Sequence, residues 1–299
     1  MTLQKEIKND PKYIEILDHG FVGLVDHMGS DSAIVQAARV SYGDGTKTVM
    51  EDRGLIRYLI RHKHTSPIEM CEVKLHIKLP IFIMRQLVRH RTASLNEYSG
   101  RYSVMTDEFY VPELENIKPQ SLDNKQGRNG SFTIEDAIVI QNKIRESNDS
   151  TYKVYESLIG NEEDPGYNLA REISRTVLPV SNYTELYWKQ DLKNLFHLLR
   201  LRLDPHAQWE IQVLSQAIYD LIQPLFPIAC EAFEDYERQS ATFSRMELNL
   251  LKDIMSTYKG GVHGFIEDKM SHDNLTETSF AKQYGMTKRE LTEFISRFK

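Results

Sequence analysis

The 299-residue sequence has little cysteine, no long apolar run and no excess of basic charge. Its two cysteines, Cys71 and Cys230, form no Cys-x-x-Cys pair, which excludes a disulfide framework and a zinc knuckle and favours a reducing, cytoplasmic setting. No stretch approaches the roughly 18 apolar residues that a membrane span needs, so we expect no membrane partner. The first thirteen residues lack the apolar segment of a signal peptide.

The charge balance limits the class of partner. The chain has 37 Lys and Arg against 43 Asp and Glu, a formal net charge of −6. Nucleic-acid binding needs an extended basic stripe, so we predict no nucleic-acid partner. No internal repeat or low-complexity segment is present. The composition, 40% hydrophobic and 27% charged, is that of an ordinary globular protein with a full core.

Hydrophobic periodicity predicts strands mixed with helices. Strand patterns cover residues 13–29, as a strand or a hairpin with a bend at Gly20, and residues 72–79 and 182–188. In the second, Val73, Leu75, Ile77 and Leu79 alternate with Lys74, His76 and Lys78, which predicts a strand buried on one face only. Helical patterns cover 31–39, 49–62, 81–91 with Pro80 at the first position, 134–159, 167–178, 191–203 and 204–222, the last with Asp204 and Pro205 as N-cap and first helical residue. Residues 112–132 are predicted as a surface loop. Without regular βαβ alternation, the pattern favours an α+β fold, a mixed sheet core flanked by helical subdomains.

A local basic segment stands out in this acidic chain. Residues 89–102, RHRTASLNEYSGRY, combine cations with hydroxyls, an amide and a glycine. Such a site suits a small anionic ligand such as a phosphate or a nucleotide, because the arginine fork binds phosphate with two hydrogen bonds. On the predicted helix, Arg85 and Arg89 share one face and Gln86 and His90 the adjacent one. The alternative is that the cations only complement the helix dipole and that the loop is an ordinary turn.

The same segment resembles the RHRxxSxNxxSxR signature of the flavin-dependent thymidylate synthases, the ThyX family, with every fixed position filled. Further stretches follow the order and spacing of that family: AARVSY (37–42), HKHTSPIE (62–69), PIFIMRQLVRHR (80–91), SRTVLP (174–179) and LRLRLDPHAQWEIQ (199–212). The resemblance covers residues 13–235. We therefore expect a catalytic domain over 1–235 and a helical C-terminal extension of unknown role over 236–299.

The resemblance implies a homotetramer with a mixed α/β core and active sites lined by several subunits. It implies reductive methylation of dUMP to dTMP, in which 5,10-methylenetetrahydrofolate supplies the carbon and NADPH supplies electrons through FAD. It gives Arg202 a catalytic role, stabilising the pyrimidine ring ionised at N3. A guanidinium suits this as a fixed electrostatic partner, since it does not lose its proton. Arg200, about 200° round the helix, should face elsewhere.

Matching residue by residue extends the resemblance to both ligands. The residues expected to bind dUMP are Gln86, Arg89, Glu97, Tyr98, Ser99, Gly100, Arg101, Arg175 and Arg202. The residues expected to bind FAD are His64, Ser66, Glu69, Arg89, His90, Arg91, Glu97, Asp191, Lys193 and His197. No His or Asp near Ser99 in sequence activates it as a nucleophile, so we favour a positioning role; a plain turn serine is the alternative.

Two positions depart from the family, and several alternatives stay open. Asp191 and His197 stand where other members often carry asparagine, and a carboxylate there would repel the FAD diphosphate unless Lys193 or another cation offsets it. His62, His64 and Glu69 suggest a metal, but a spacing of two suits a strand face rather than a helical His pair, and we expect none. Cys230, in an apolar stretch, is expected to be a buried, inert thiol rather than a nucleophile.

The extension and the overall activity each leave other interpretations. In the extension, residues 244–255 show helical spacing, 259–264 form a glycine-rich break, and two short helices are expected around Gly285. The pattern FAKQYGMTKRELTEFI superficially resembles a helix-turn-helix, but its mixed charges favour a packed appendage over DNA binding. The alternatives to the synthase are a catalytically silent nucleotide-binding relative and a metal-dependent nucleotide hydrolase.

Overall fold

The computed structural model describes residues 10–40, 49–122, 125–160 and 164–298. The N-terminal residues 1–9 and the last two residues of the 37–42 stretch, Ser41 and Tyr42, lie outside the described residues. The chain divides into two compact units, one ending at Ser240 and the other beginning at Ala241.

The first unit is built on a five-stranded sheet in the order β1-β2-β3-β5-β4, with every neighbouring pair antiparallel. The strands are β1 Tyr13–Ile16, β2 Gly20–Met28, β3 Glu72–Pro80, β4 Ser94–Glu97 and β5 Tyr183–Asp191. The first two form the predicted hairpin. A Cβ at Gly20 would lie 2.8 Å from the carbonyl oxygen of Lys78, so the bend requires glycine. The sheet is antiparallel throughout and helices intervene between its strands without regular βαβ alternation, which confirms the α+β fold.

Strand β3 is covered on both faces, which corrects the expectation of a half-buried strand. Its four aliphatic residues are buried as predicted, but His76 and Lys78 are buried too, at 3% and 6% exposure. The ring of His76 lies 4.9 Å from that of Phe21 and 4.7 Å from that of Tyr187. The ammonium of Lys78 pairs with the Glu108 carboxylate at 2.7 Å. The alternation is correct, but rings on β2 and β5 cover His76 and the carboxylate of Glu108, outside the sheet, covers Lys78, whereas Lys74 stays exposed.

Eight helices surround this sheet within the described part of the first unit. They are α1 Asp31–Arg39, α2 Val49–Arg61, α3 Ile81–Leu87, α4 Ile134–Ile159, α5 Arg171–Ser174, α6 Leu192–Arg202, α7 Trp209–Ile222 and α8 Pro227–Phe233. Helix α4 has the predicted bounds, and the Thr133 hydroxyl caps it by accepting from the Asp136 amide at 3.1 Å. None of the described helices is both long and apolar enough to cross a membrane.

Two predicted helices are shorter than expected. The 81–91 helix ends at Leu87, and Pro80 is its N-cap, with extended backbone, rather than its first helical residue. The 167–178 helix is reduced to α5 and a 3₁₀ turn over Arg175–Val177. Proline fits the residue before a helix as well as the first turn, so the sequence does not distinguish the two positions.

The predicted helix start at Asp204 and Pro205 is wrong. Helix α7 begins at Trp209 with Gln208 as its N-cap. The carboxylate of Asp204 instead accepts from the backbone amide of His206 at 2.8 Å, which closes a turn between α6 and α7. Aspartate followed by proline is as typical of a turn as of a helix start.

The main core lies between the sheet and the helices of the first unit, where the rings of Phe196 and Phe233 stack at 4.7 Å. Both cysteines are fully buried in this core and unpaired. Burial raises the pKa of Cys71 to about 11 and that of Cys230 to about 12. Both thiols are therefore protonated at neutral pH, as expected of inert cysteines.

The second unit contains four helices among its described residues. They are α9 Arg245–Ser256, α10 Gly261–His272, α11 Glu277–Gln283 and α12 Lys288–Ser296. Capping boxes at Ser244, Thr276 and Thr287 open three of them. The predicted break at 259–264 is present but shorter: Lys259 and Gly260 form a turn between α9 and α10, and residues 261–264 are the first turn of α10. Two short helices flank Gly285 as expected. Five buried residues form a separate small core: Val262, Ile266, Phe280, Ala281 and Leu291.

Candidate functional site

Residues 89–91 lie in a turn after α3, which corrects the expectation that they continue the helix. The amides of Arg89 and His90 donate to the carbonyl oxygens of Gln86 and Leu87, at 3.3 and 3.0 Å. His90 is buried at 7% exposure, whereas Arg89 and Arg91 are exposed. Because Arg89 lies outside the helix, it does not share a helix face with Arg85 as predicted. The turn directs one imidazole inward and leaves two guanidinium groups accessible to an anion.

Arg202, the last residue of α6, reaches this turn. Its Nε donates to Nε2 of His90 at 3.1 Å, and its Nη2 lies 3.5 Å from the carbonyl oxygen of Gln86. Burial lowers the pKa of Arg202, and no carboxylate within the described ranges pairs with it. A guanidinium keeps its proton even so. The Arg202 cluster, Gln86, Arg89, His90, Arg91 and Arg202, therefore holds a fixed positive charge without a counter-charge.

The imidazole of His90 is neutral in this cluster. Burial, followed by the charges of Arg202 and His197, lowers the pKa of His90 to about 4. Because Nε2 accepts a hydrogen bond from Arg202, the ring proton lies on Nδ1. The ring of His197 lies 6.1 Å away, and its pKa is lowered by burial and by Arg200 and Lys193. The two imidazoles supply hydrogen bonds without adding charge beside Arg202.

A cavity of about 200 Å³ lies beside α6 and is termed the α6 cavity. Its polar lining is Lys63, His64, Thr65, Lys193, His197, Arg200 and Glu237, and its apolar lining is Leu59, Ile60, Ile68 and Phe196. Glu237 is the one carboxylate among the described lining residues. The ammonium of Lys63 pairs with it at 2.8 Å and offsets its negative charge. The remaining donors and the apolar residues suit a ligand that has both an anionic and a flat apolar part.

The other residues expected at the flavin on this side lie in the irregular segment after α2. Lys63 has φ 58°, and the amide of His64 donates to the carbonyl oxygen of Leu59 at 2.9 Å, so the chain turns back here. His64 and Ser66 are exposed, and Glu69 lies in a 3₁₀ turn. His62 and His64 lie in this irregular segment, neither on a strand nor as a pair on a helix. Among the described residues, no three His, Cys, Asp or Glu side chains converge to hold a metal.

Asp191 is the N-cap of α6. One carboxylate oxygen accepts from the Asn194 amide at 2.9 Å and the other from the Asn194 side chain at 2.7 Å. The helix N-terminus favours this negative charge. Lys193 follows in the first turn and lines the α6 cavity. The carboxylate is thus held by the helix end, with a cation next to it, which weakens the repulsion expected between Asp191 and a diphosphate.

Strand β4 was not predicted, and it positions two of the expected site residues, Glu97 and Tyr98. It pairs with β5 at the edge of the sheet. The carboxylate of Glu97 accepts from the Thr184 hydroxyl at 2.8 Å. The amide of Tyr98 donates to the Glu185 carbonyl at 2.8 Å, and its hydroxyl donates to the Val104 carbonyl at 2.6 Å. Both side chains are therefore engaged with the sheet and the following loop.

Ser99, Gly100 and Arg101 follow β4 and meet Arg175; these four residues are termed the Ser99 cluster. A Cβ at Gly100 would lie 3.2 Å from Cδ of Arg175 and 2.8 Å from Sδ of Met105, so glycine permits this close approach. The Ser99 hydroxyl accepts from the Arg101 amide at 3.3 Å, and no base contacts it within the described residues. The cluster offers two exposed guanidinium groups and a hydroxyl, a donor set that fits phosphate.

The two clusters lie at opposite ends of β4. Four strand residues rise about 13 Å at roughly 3.3 Å each, and each cluster begins beyond an end of the strand. His90 of the expected flavin set contacts Arg202, whereas no contact between the described residues joins the Ser99 cluster to Arg202.

Two contacts of the site went unpredicted. The Gln86 amide donates to the side-chain oxygen of Gln208 at 2.6 Å, across 122 residues of sequence. Arg200 faces away from Arg202 as expected, but it lines the α6 cavity and its Nη2 lies 3.4 Å from Nδ1 of His197. The spacing of His197 and Arg200 on α6 could have indicated the second contact. The first has no local signal.

Comparison with known proteins identifies the family. A family model described as thymidylate synthase complementing protein matches residues 23–228. The chain is 48% identical over 296 residues to a flavin-dependent thymidylate synthase of Rickettsia bellii, covering 97% of this chain and 94% of that protein. It is 49% identical over 242 residues to a protein of the same name from Ehrlichia ruminantium, covering 81% and 80%.

A solved structure agrees with these sequence relatives. A UMP/dUMP methylase, PolB from Streptomyces cacaoi bound with 5-Br dUMP, has 34% identity and a TM-score of 0.67, covering 75% of this chain and 99% of that one. The chain therefore belongs to the thymidylate synthase complementing protein family, the flavin-dependent thymidylate synthases. This confirms the resemblance inferred from residues 89–101.

Proposed function

We propose that the chain catalyses the reductive methylation of dUMP to dTMP. In this proposal 5,10-methylenetetrahydrofolate donates the carbon and NADPH is the reductant. The names of the sequence relatives and the dUMP analogue in the solved relative support the flavin cofactor and the pyrimidine substrate. Bound FAD supplies the hydride chemistry, and the residues of this chain hold and polarise the substrate.

The position of Arg202 carries the proposal. Its guanidinium contacts one residue from each expected set, His90 from the flavin set and Gln86 from the dUMP set. Carbon C5 of uracil is a weak nucleophile until negative charge develops on the ring. A fixed guanidinium without a carboxylate partner stabilises that charge and lowers the barrier. Arg202 acts by its field rather than as a base, because it keeps its proton.

His90 orients Arg202 in this mechanism. Its neutral imidazole accepts the Nε–H of Arg202 at 3.1 Å and so fixes the plane of the fork. A protonated imidazole would repel the guanidinium and offer no acceptor. The lowered pKa of His90 keeps the acceptor available throughout the neutral range.

We assign the dUMP phosphate to the Ser99 cluster. Its arginines can each form paired hydrogen bonds to phosphate oxygens, and its hydroxyl can add another. Ser99 positions the nucleotide rather than attacking it, since no described base contacts it. Gln86, Arg89, Glu97 and Tyr98 complete the proposed dUMP residues.

We assign the α6 cavity and its margins to FAD, because the donors and apolar lining fit a group with a diphosphate and flat rings. Lys193, Arg91 and the end of α6 would offset the diphosphate charge. Leu59, Ile68 and Phe196 would exclude water. The full proposed set is His64, Ser66, Glu69, Arg89, His90, Arg91, Glu97, Asp191, Lys193 and His197.

We further propose that the active site forms between subunits of a homotetramer. Within the described residues of one chain, no contact joins Arg202 to the Ser99 cluster, whereas the nucleotide must meet both. Symmetric assembly would bring the Ser99 cluster of one copy to the Arg202 cluster of another. We assign the chemistry to a catalytic domain over 1–235, in a cytoplasmic setting where the cysteines stay reduced. Residues 236–299 remain an extension of unassigned role.

The test is anaerobic turnover of purified protein with dUMP, methylenetetrahydrofolate, NADPH and FAD. We expect dTMP, with formation dependent on FAD and unchanged by a chelator. Nucleotide binding without dTMP would contradict the proposal in favour of a silent relative. Loss of activity with chelator, together with no bound flavin, would contradict it in favour of a metal-dependent hydrolase.

A further inference from the structure

A larger cavity, of about 610 Å³, adjoins the Arg202 cluster and is termed the α7 cavity. It lies between residues 116–121 and 126–129 on one side and the segment that leads into α7 on the other. Gln208 lines it and also accepts the hydrogen bond of Gln86. A volume of this size accommodates a substantial part of a small ligand. None of the residues assigned to dUMP or FAD lines it.

The lining of the α7 cavity favours negative charge. Its charged residues are Lys118 and Arg128, and no carboxylate is among the described lining residues, although Glu210 lies behind Arg128 at 2.9 Å. The N-terminus of α7 opens into it, and the N-cap Gln208 makes no side-chain cap bond to the first amides. The positive end of a 14-residue helix therefore adds to the cations. By contrast, the cavity beside α4 is lined by four carboxylates and would repel an anion.

Unpartnered donors in the same lining point to a ligand that brings oxygen acceptors. Asn116 is 8% exposed, and its Nδ2 has no hydrogen-bond partner. Arg128 pairs through Nη1 with Oε1 of the buried Glu210 at 2.9 Å, while Arg128 Nη2 and Glu210 Oε2 are both buried without a partner, so Asn116 is the clearer sign of a missing acceptor. Buried donors in folded proteins are nearly always satisfied. Their convergence in one cation-lined cavity indicates a missing acceptor.

We propose that the α7 cavity binds the anionic end of a co-substrate, remote from the reacting carbon. The recognised chemistry is a cluster of carboxylate or phosphate oxygens, held by Lys118, the Asn116 amide and the α7 N-terminus. The proposal rests on the proposed function, in which both co-substrates carry such a group. These are the glutamyl carboxylates of the folate and the 2′-phosphate of NADPH.

The test measures equilibrium binding by calorimetry to the FAD-loaded full chain, without turnover. The probes are NADP⁺ against NAD⁺, and a triglutamyl folate against the monoglutamate. In one of these pairs the more anionic member, NADP⁺ or the triglutamyl folate, should bind more tightly than its partner. Lys118→Ala should weaken its binding about fivefold, the size of a partly exposed charge interaction, and reduce that preference. Asn116→Asp should abolish the preference, because it places a carboxylate where the free donor lies.

The matched control is Arg145→Ala, which removes a cation from the acidic cavity and should change neither preference. Loss of the NADP⁺ preference would identify the phosphate as the ligand group, and loss of the triglutamate preference would identify the carboxylates. Unchanged preferences in both pairs would overturn the proposal. Lys118 is exposed, so its variant decides the matter even if Asn116→Asp fails to fold. A chain that passes this binding test but forms no dTMP would contradict only the proposed function.

Discussion

Replacing Arg202 with alanine should reduce the rate of dTMP formation at least a hundredfold, a loss of roughly 3 kcal/mol of transition-state stabilisation. The guanidinium is the uncompensated charge closest to where the pyrimidine anion is expected to develop, and in the described structure no second cation shares its contacts with His90 and Gln86. FAD should stay bound, because the α6 cavity does not include Arg202. Turnover and the flavin content of the purified variant are the two measurements.

Arg85→Ala is the matched control for Arg202→Ala. It removes the same charge from the nearby helix α3, where Arg85 is exposed, and activity should be unchanged. Arg202→Lys should recover little activity, since an ammonium cannot reproduce the fork that contacts His90 and Gln86 together. Turnover by Arg202→Ala within a few-fold of the native rate would refute the role given to Arg202.

Mixed tetramers of two inactive variants should regain about a quarter of the native activity, because each site would need an intact Arg202 from one copy and an intact Arg175 from another. The variants are Arg202→Ala and Arg175→Ala, each expected to be inactive alone at a dUMP concentration that saturates the native site but not a site lacking Arg175. The expectation follows because no contact joins the two clusters among the described residues of one chain. Coexpression with two affinity tags isolates the mixed assemblies, whose dTMP formation is then measured.

The control for the mixed assemblies pairs the native chain with a chain carrying both substitutions. If Arg202 and Arg175 act within one copy, half of its sites should be active and the mixed single variants should remain inactive. If they act between copies, both mixtures should show about a quarter of the native activity. Inactive mixtures of the single variants would therefore contradict a site shared between subunits.

The elements that the sequence predicted well are those whose signals are local. Helix α4 has its predicted bounds because a threonine cap and a long amphipathic pattern define it. The hairpin of β1 and β2 follows from apolar strands around Gly20. The resemblance rested on fixed residues at fixed spacing. This pattern can be recognised in the sequence even when the secondary structure of the segment is predicted wrongly. The motif at 89–101 therefore indicated the family, although the helix before it ends at Leu87 rather than at the predicted Arg91.

The sequence failed where distant segments decide the structure. Strand β4 is polar and short, and it exists because the edge of β5 is available to pair with it. The second face of β3 is buried by rings on other strands. In the site, the contact of His90 with Arg202 joins residues 112 apart, and that of Gln86 with Gln208 joins residues 122 apart. No local pattern encodes either contact.

The most direct test of a shared flavin and pyrimidine site is the visible absorption spectrum of the FAD-loaded protein during titration with dUMP. The account predicts that the flavin bands shift and that the shift saturates, because Arg202 and His90 join the two ligands. Arg175→Ala should require more dUMP for the same shift, since it weakens only the phosphate contact. A bound flavin whose spectrum stays unchanged at saturating dUMP would contradict the account.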